Sequence, residues 1–246
     1  MSDFSIQGRH AVVTGGGKGI GLAVATELAR RGARVSVVSR SAQSAERANA
    51  FFAASADITR DEDVVRAFAR CREANGPIAI LVNNSGIAES APFARTSRGM
   101  WDRILATNLT GTFVATQTAM QDMIVAKWGR IVNVASIAGL YGAPYIAAYC
   151  ASKHGVIGLT RSLALELEGT GITANAVCPG YTETTMMQRA IETIVKKTGA
   201  TEDIARAQLA AGNPGGRIVQ PEEVAAAVAD LCESDANACE VVLPAE

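Results

Sequence analysis

Along the chain, short runs of apolar residues alternate with longer stretches whose apolar positions recur every three to four residues. His10 to Thr14 (HAVVT) and Arg34 to Val38 (RVSVV) read as strands, with a helix from Gly19 to Arg31 between them. An amphipathic helix from Asp61 to Asn75 leads to a strand from Ile78 to Asn83 (IAILVN). A long helical stretch from Arg98 to Trp128 precedes a strand that starts at Ile131 (IVNVA). A helix from Ala148 to Glu168 leads to a strand from Thr173 to Val177. Pro221 to Cys232 reads as a late helix with proline in its first turn, and Glu240 to Leu243 as a last short strand.

Strands this continuously apolar predict a sheet covered on both faces. Their alternation with helices predicts βαβ units and a parallel sheet, and right-handed crossovers put helices on both sides. The expectation is α/β: a single doubly wound Rossmann domain over residues 1–246. Residues 181–217 break the rhythm with Gly199, Gly212, Pro214, Gly215 and Gly216 and are expected to form a mobile insert over the site.

Composition narrows the function classes. The 246 residues suffice for a large core, and 48% hydrophobic with 19% charged residues is ordinary for a globular enzyme. A net charge of -1 gives no basic excess for nucleic acid or a membrane surface. No run of 18 apolar residues and no apolar segment near Met1 predict a cytoplasmic protein with neither membrane span nor signal peptide. Cys71, Cys150, Cys178, Cys232 and Cys239 are odd in number and form no CxxC pair, so free thiols are expected. His10 and His154 lack ligand spacing to any cysteine, and no metal site is expected.

The first strand runs into Thr14-Gly15-Gly16-Gly17-Lys18-Gly19-Ile20-Gly21, and a helix follows. Glycines permit a tight turn and close approach of a pyrophosphate, while the helix start offers unpaired N–H groups and a positive dipole end. In the first βα turn of a βαβ pattern this predicts a dinucleotide site. The second strand ends in Val38-Ser39-Arg40, with no carboxylate to receive a ribose 2′-hydroxyl. Arg40 and Lys18 can instead hold a 2′-phosphate, so NADP(H) is expected over NAD(H).

Tyr149 and Lys153 stand four apart on a predicted helix and share a face. An ammonium about 4 Å from the phenol, at an effective dielectric near 20, favours phenolate by about 4 kcal/mol. The expectation is therefore a phenol made more acidic than usual, a general acid in reduction and a base in oxidation. Ser136 follows a strand's carboxyl end, where its hydroxyl can hold a substrate oxygen. Tyr141 and Tyr145 have no lysine four residues on and are expected to be pocket walls, while Cys150 and His154 are expected to be structural.

The GxxxGxG spacing of Gly15, Gly19 and Gly21 is followed by Asn83-Asn84-Ser85-Gly86, Asn108 in TNLTG, Ser136, the Tyr149/Lys153 YxxxK pair and Pro179-Gly180. In that order, over roughly residues 8–232, they resemble the short-chain dehydrogenase/reductase family. The resemblance implies Asn108, Ser136, Tyr149 and Lys153 as the catalytic group. Asn108 would keep a water chain that resupplies protons through Lys153, which also holds the nicotinamide ribose. It implies cofactor contacts from Gly15, Gly17, Lys18, Gly19, Ile20, Gly21, Ser39 and Arg40, from Asp57 and Ile58 near the adenine, and from Asn84, Ser85 and Gly86. Tyr149, Lys153, Pro179, Gly180, Thr182 and Thr184 complete that set.

The resemblance is nearest to 3-oxoacyl-thioester reductases and polyketide-type ketoreductases. It implies a ketone or secondary-alcohol substrate and a homotetramer or homodimer through the helices Arg98–Trp128 and Ala148–Glu168. Phe93, Ile137, Tyr145, Tyr181, Met186 and Met187 are candidate pocket residues. The chain departs from the family in two places: the compressed second helix and third strand between Arg40 and Asp57, and a tail from Ala238 that lacks glycine. Two other readings stay open, a dehydrogenase of secondary alcohols, hydroxysteroids or polyols and a non-catalytic NADP(H) sensor.

Overall fold

The computed structural model describes residues 4–40 and 51–244. Its strands are β1 (His10–Thr14), β2 (Arg34–Ser39), β3 (Phe52–Ser55), β4 (Ile78–Asn83), β5 (Gly129–Val134), β6 (Ile172–Pro179) and β7 (Glu240–Leu243). They form one parallel sheet in the order β3-β2-β1-β4-β5-β6-β7. Around it lie α1 (Gly19–Arg30), α2 (Asp61–Asn75), α3 (Arg98–Leu105), α4 (Gly111–Ala126), α5 (Ala147–Glu166), α6 (Thr185–Thr198), α7 (Glu202–Ala211) and α8 (Pro221–Cys232).

The two-residue period of the strands divides the core. Val13, Val37, Val82 and Val132 face the layer that holds Leu28 of α1 and Val228 of α8. Their neighbours Val12, Val38, Leu81 and Ile131 face Phe68 of α2, Ala119 of α4 and Leu163 of α5. Each such aliphatic side chain, fully buried, contributes about 1.5–3 kcal/mol. A polar seam crosses the sheet where Asn83 and Asn133 lie in register. Asn83 Nδ2 donates to Asn133 Oδ1 and Thr116 Oγ1, both at 2.9 Å, and Asn133 Nδ2 donates to Thr160 Oγ1 at 2.8 Å.

Several boundaries differ from expectation. The stretch from Arg98 is α3, a π-helical turn at Ala106–Thr110, and α4, and it ends at Ala126 rather than Trp128. Lys127 takes a left-handed φ of 50° and Trp128 N–H returns to Met123 O, which closes the helix and lets β5 begin at Gly129. α5 ends at Glu166, and β6 extends to Pro179. The expected compressed second helix falls in residues outside those described. The glycine-free tail pairs β7 with β6, and Gly180 N–H donates to Leu243 O at 2.7 Å.

Within residues 181–217, α6 and α7 close on one another through Met187, Ile191, Ala205 and Leu209. Met187, expected to line the pocket, is instead 3% exposed inside this helix pair. Asn213 clasps the neck: Oδ1 accepts Tyr181 N–H at 2.6 Å, and Nδ2 donates to Tyr181 O and Arg217 O at 2.9 and 2.7 Å.

Candidate active site

Strand order reverses between β1 and β4, the switch point at whose carboxyl side open α/β sheets form their ligand crevice. The glycine turn sits at that point. Gly15 has φ +67°, and a Cβ on it would lie 2.8 Å from Asn84 Nδ2; a Cβ on Gly21 would overlap Asn84 Nδ2 and Gly15 O. Only hydrogen at both positions lets the turn and the β4 loop approach this closely. Asn84 Nδ2 donates to Thr14 O and Gly15 O, while Thr14 Oγ1 receives the N–H groups of Asn84 and Ser85, each at 3.1 Å. The start of α1 has no side-chain cap and no acidic residue in its first turn. Its N–H groups and dipole are thus free for an anion.

The outer part of the crevice is basic. Lys18 and Arg40 are exposed, and Ser39 Oγ is enclosed at the end of β2 with no hydrogen-bond partner among the described residues. An enclosed hydroxyl without a partner beside an arginine suits a phosphate oxygen. Asp57 accepts the N–H and hydroxyl of Thr59 at 3.0 and 2.7 Å, and these bonds hold its carboxyl below the usual range. Ile58 turns its side chain onto Gly111 at the start of α4. Thr184 caps α6 through Met187 N–H, and its methyl stands 3.4 Å from where a Gly19 Cβ would be. Residues from both ends of the site thus meet over the turn. Thr182 Oγ1 donates to Gly180 O at 3.0 Å.

Deeper in, Asn108 lies in the π-helical turn and is 1% exposed. A π turn widens the helix and is common at functional sites. Asn108 Oδ1 accepts Ile87 N–H at 2.8 Å, and Nδ2 donates to Ile87 O and Ser152 Oγ, both at 3.0 Å. Ser136 follows β5 and accepts Ala138 N–H at 3.1 Å. Lys153 is 5% exposed, and its ammonium donates to Val134 O at 2.8 Å. A Cβ on Gly86 would be 3.4 Å from Asn108 Oδ1 and 3.8 Å from Lys153 Nζ, so three segments converge on that nitrogen.

The expected acidification of the phenol is overturned. Lys153 Nζ lies 5.8 Å from the Tyr149 ring centroid and spends its hydrogen bond on the Val134 carbonyl. Burial dominates both groups. It pushes the Tyr149 phenol up to about 12, opposed by the Ser136 hydroxyl, and draws the Lys153 ammonium down to about 8. The Coulomb attraction expected at about 4 Å is opposed by desolvation, which penalises phenolate and ammonium alike.

Phe93, Tyr141 and Tyr145 are exposed by 79%, 66% and 64%, and Tyr145 carbonyl accepts Ala91 N–H, tying the two rim loops together. A cavity of about 580 Å³ lies elsewhere, at the amino ends of β5 and β6 between Trp128, Arg130, Glu168 and Asp235, far from these groups. Sequence reasoning missed Thr14, Gly16 and Ser152. A threonine ending an apolar strand, and a serine beside lysine on a buried helix face, were the available signals. A Cβ on Gly16 would lie 2.7 Å from Val37 Cγ1, which only the fold reveals.

A glycine turn with a serine, a phenol and a lysine further along the sheet's carboxyl side fits an oxidoreductase that interconverts ketones and secondary alcohols. The sequence profile of short chain dehydrogenases matches residues 9–194, and the chain belongs to that family. It is 38% identical over 233 residues to 2-(S)-hydroxypropyl-CoM dehydrogenase 3 of Xanthobacter autotrophicus, covering 91% of this chain and 89% of the relative. It is 37% identical over 244 residues to a 3-oxoacyl-[acyl-carrier-protein] reductase of Aquifex aeolicus, covering 96% and 94%. Among solved structures it matches an actinorhodin polyketide ketoreductase variant with NADPH at TM-score 0.90 and 35% identity, covering 96% and 95% of the two chains.

Proposed function

We propose that this chain is an NADP(H)-dependent reductase of a 3-oxoacyl thioester or similar ketone. The observation that carries the reading is the grouping of Ser136, Tyr149 and Lys153 at the inner end of the crevice that begins at the glycine turn. The bound cofactor supplies hydride in reduction and accepts it in oxidation. Tyr149 passes its proton to the substrate oxygen, and a phenol held near 12 stays protonated at neutral pH, the form that reduction needs. Ser136 holds that oxygen as charge gathers on it. Lys153 would hold the ribose hydroxyls of a bound cofactor and, with Asn108, would return protons to the phenol.

Gly15, Gly17, Lys18, Gly19, Ile20 and Gly21 cradle the pyrophosphate. Ser39 and Arg40 would take the 2′-phosphate, Asp57 and Ile58 would flank the adenine, and Asn84, Ser85 and Gly86 would line the ribose side. Pro179, Gly180, Thr182 and Thr184 cover the nicotinamide. The NADPH bound to the actinorhodin enzyme supports the cofactor choice, and the Aquifex reductase supports the thioester. A second reading, oxidation of a secondary alcohol, draws on the Xanthobacter dehydrogenase. The chain works as one domain, with residues 181–217 as the substrate insert, in a cytoplasmic homotetramer or homodimer. Among the described residues no helix is long and apolar enough to cross a membrane.

Absorbance at 340 nm (the NADPH band) over a panel of ketones and 3-oxoacyl thioesters tests this. Turnover with NADPH is expected, and Tyr149→Phe should lose about 10²–10⁴-fold in rate. Preference for NADH would refute the cofactor choice. Tight cofactor binding with no turnover on any substrate would leave a sensor.

A further inference from the structure

Ser152 stands between Tyr149 and Lys153 on α5 and is 0% exposed. Its hydroxyl accepts from Asn108 Nδ2 at 3.0 Å and donates to Tyr149 O at 2.7 Å. The other amide hydrogen of Asn108 goes to Ile87 O, and Asn108 Oδ1 takes Ile87 N–H, so every amide hydrogen of Asn108 is committed. Ile87 follows Gly86, the residue whose Cβ position lies 3.8 Å from Lys153 Nζ. One path of hydrogen bonds therefore runs from the Tyr149 carbonyl through Ser152 and Asn108 to Ile87, whose neighbour Gly86 faces the Lys153 ammonium. Packing alone does not explain a serine here. Alanine fills nearly the same space and is the better helix former. What the hydroxyl adds is a partner for an amide hydrogen that solvent cannot reach.

We propose that Ser152 is a positioning residue for the reaction: its hydroxyl locks the π-helical turn bearing Asn108 to the turn of α5 that carries Tyr149 and Lys153. The proposal rests on the reading of Tyr149 and Lys153 given above. Without the hydroxyl, Asn108 keeps its pairing with Ile87, but its second amide hydrogen is left buried without a partner and the tie between the π-helical turn and α5 is gone. The segment of Asn108, Ile87 and Gly86 can then shift as a unit against the turn of α5 that carries Lys153. Proton return to Tyr149 slows, while the pyrophosphate turn and the substrate rim keep their shape.

The test uses the full chain with NADPH and its best ketone, in the parent, Ser152→Ala and Ser152→Thr. The alanine variant is expected to lose at least tenfold in kcat, with KM for ketone and Kd for NADPH within twofold. Its solvent deuterium effect on kcat should exceed the parent's as proton transfer becomes limiting. Threonine, which keeps the oxygen, should return kcat to within threefold of the parent. If the extra methyl prevents folding, the isotope effect of the alanine variant decides alone. Parent-like kcat in Ser152→Ala overturns the proposal. So does a fall in kcat that only tracks the folded fraction with an unchanged isotope effect. A parent inert on every ketone overturns the functional reading first and this proposal with it, so the two failures are told apart by the parent's own rate.

Discussion

At Lys153 two effects oppose one another. The fold buries the ammonium and lowers its pKa from 10.5 to about 8, while the Val134 carbonyl at 2.8 Å gives it one good acceptor. Burial wins, so the charged form destabilises the folded chain at every pH below about 8. As pH rises from 8 to 10.5 the folded chain releases the proton while the unfolded chain still holds it, and stability recovers. Lys153→Met should therefore stabilise the cofactor-free protein at pH 7. The gain is on the order of 1–2 kcal/mol, once the lost hydrogen bond to Val134 O is subtracted from the relieved burial. Urea unfolding at pH 7 and pH 10 checks this, because the gain should shrink at the higher pH. A variant no more stable than the parent at pH 7 would contradict it. At this scale the sequence expectation weighed attraction above burial, and the fold reverses that balance. Helical spacing put Tyr149 and Lys153 on one face, but the depth of that face decides which energy dominates.

Among elements, β1 carries a second buried titrating group. His10 is 1% exposed, and its ring nitrogens meet Gly76 O at 2.7 Å and Ser36 Oγ at 2.8 Å, bridging β1 to β2 and to the end of α2. Burial lowers its pKa from 6.5. The neutral ring is fully stabilising above pH 6.5, and that stability is lost as pH falls toward the depressed folded value. His10→Gln should cost stability at pH 8, and the difference in Tm from the parent should narrow as pH falls to 5. A gap that stays constant over that range would mean the ring's protonation plays no part. Elements were the most legible scale. Unbroken apolar strands and periodic helices are local properties, and β1, α2 and β4 begin and end where the pattern places them. The π-helical turn at Ala106–Thr110 was hidden, because its extra residue keeps the side chains close to helical spacing.

For the whole molecule, α4 and α5 leave several large apolar side chains in water. Phe113, Ile124, Val125 and Leu165 are exposed by 47%, 54%, 86% and 73%. Exposed apolar side chains on these two helices are what the proposed homo-oligomer would cover. Light scattering should give a multiple of the 25.6 kDa chain, and Val125→Glu combined with Leu165→Glu should shift it toward monomer. A parent already monomeric at tens of micromolar would remove the basis for that assembly. The ion pairs add little to this balance, since Arg98–Asp102 and Arg161–Glu240 are half or more exposed on their arginines and solvent screens them.

The sequence by itself determined the doubly wound class, the glycine turn and the order of the candidate residues. Each of these depends on the period of apolar residues or on spacings of a few positions. Only the tertiary structure decided what those residues feel. It brought Gly86, Asn108 and Ser152 together around Lys153 from segments tens of residues apart, and it buried Lys153 and enclosed part of Tyr149, so that desolvation opposes their attraction. It also drew Met187 into the α6–α7 pair and away from the pocket. Burial and long-range hydrogen bonding are set by the packing of distant segments, and no local pattern carries that information.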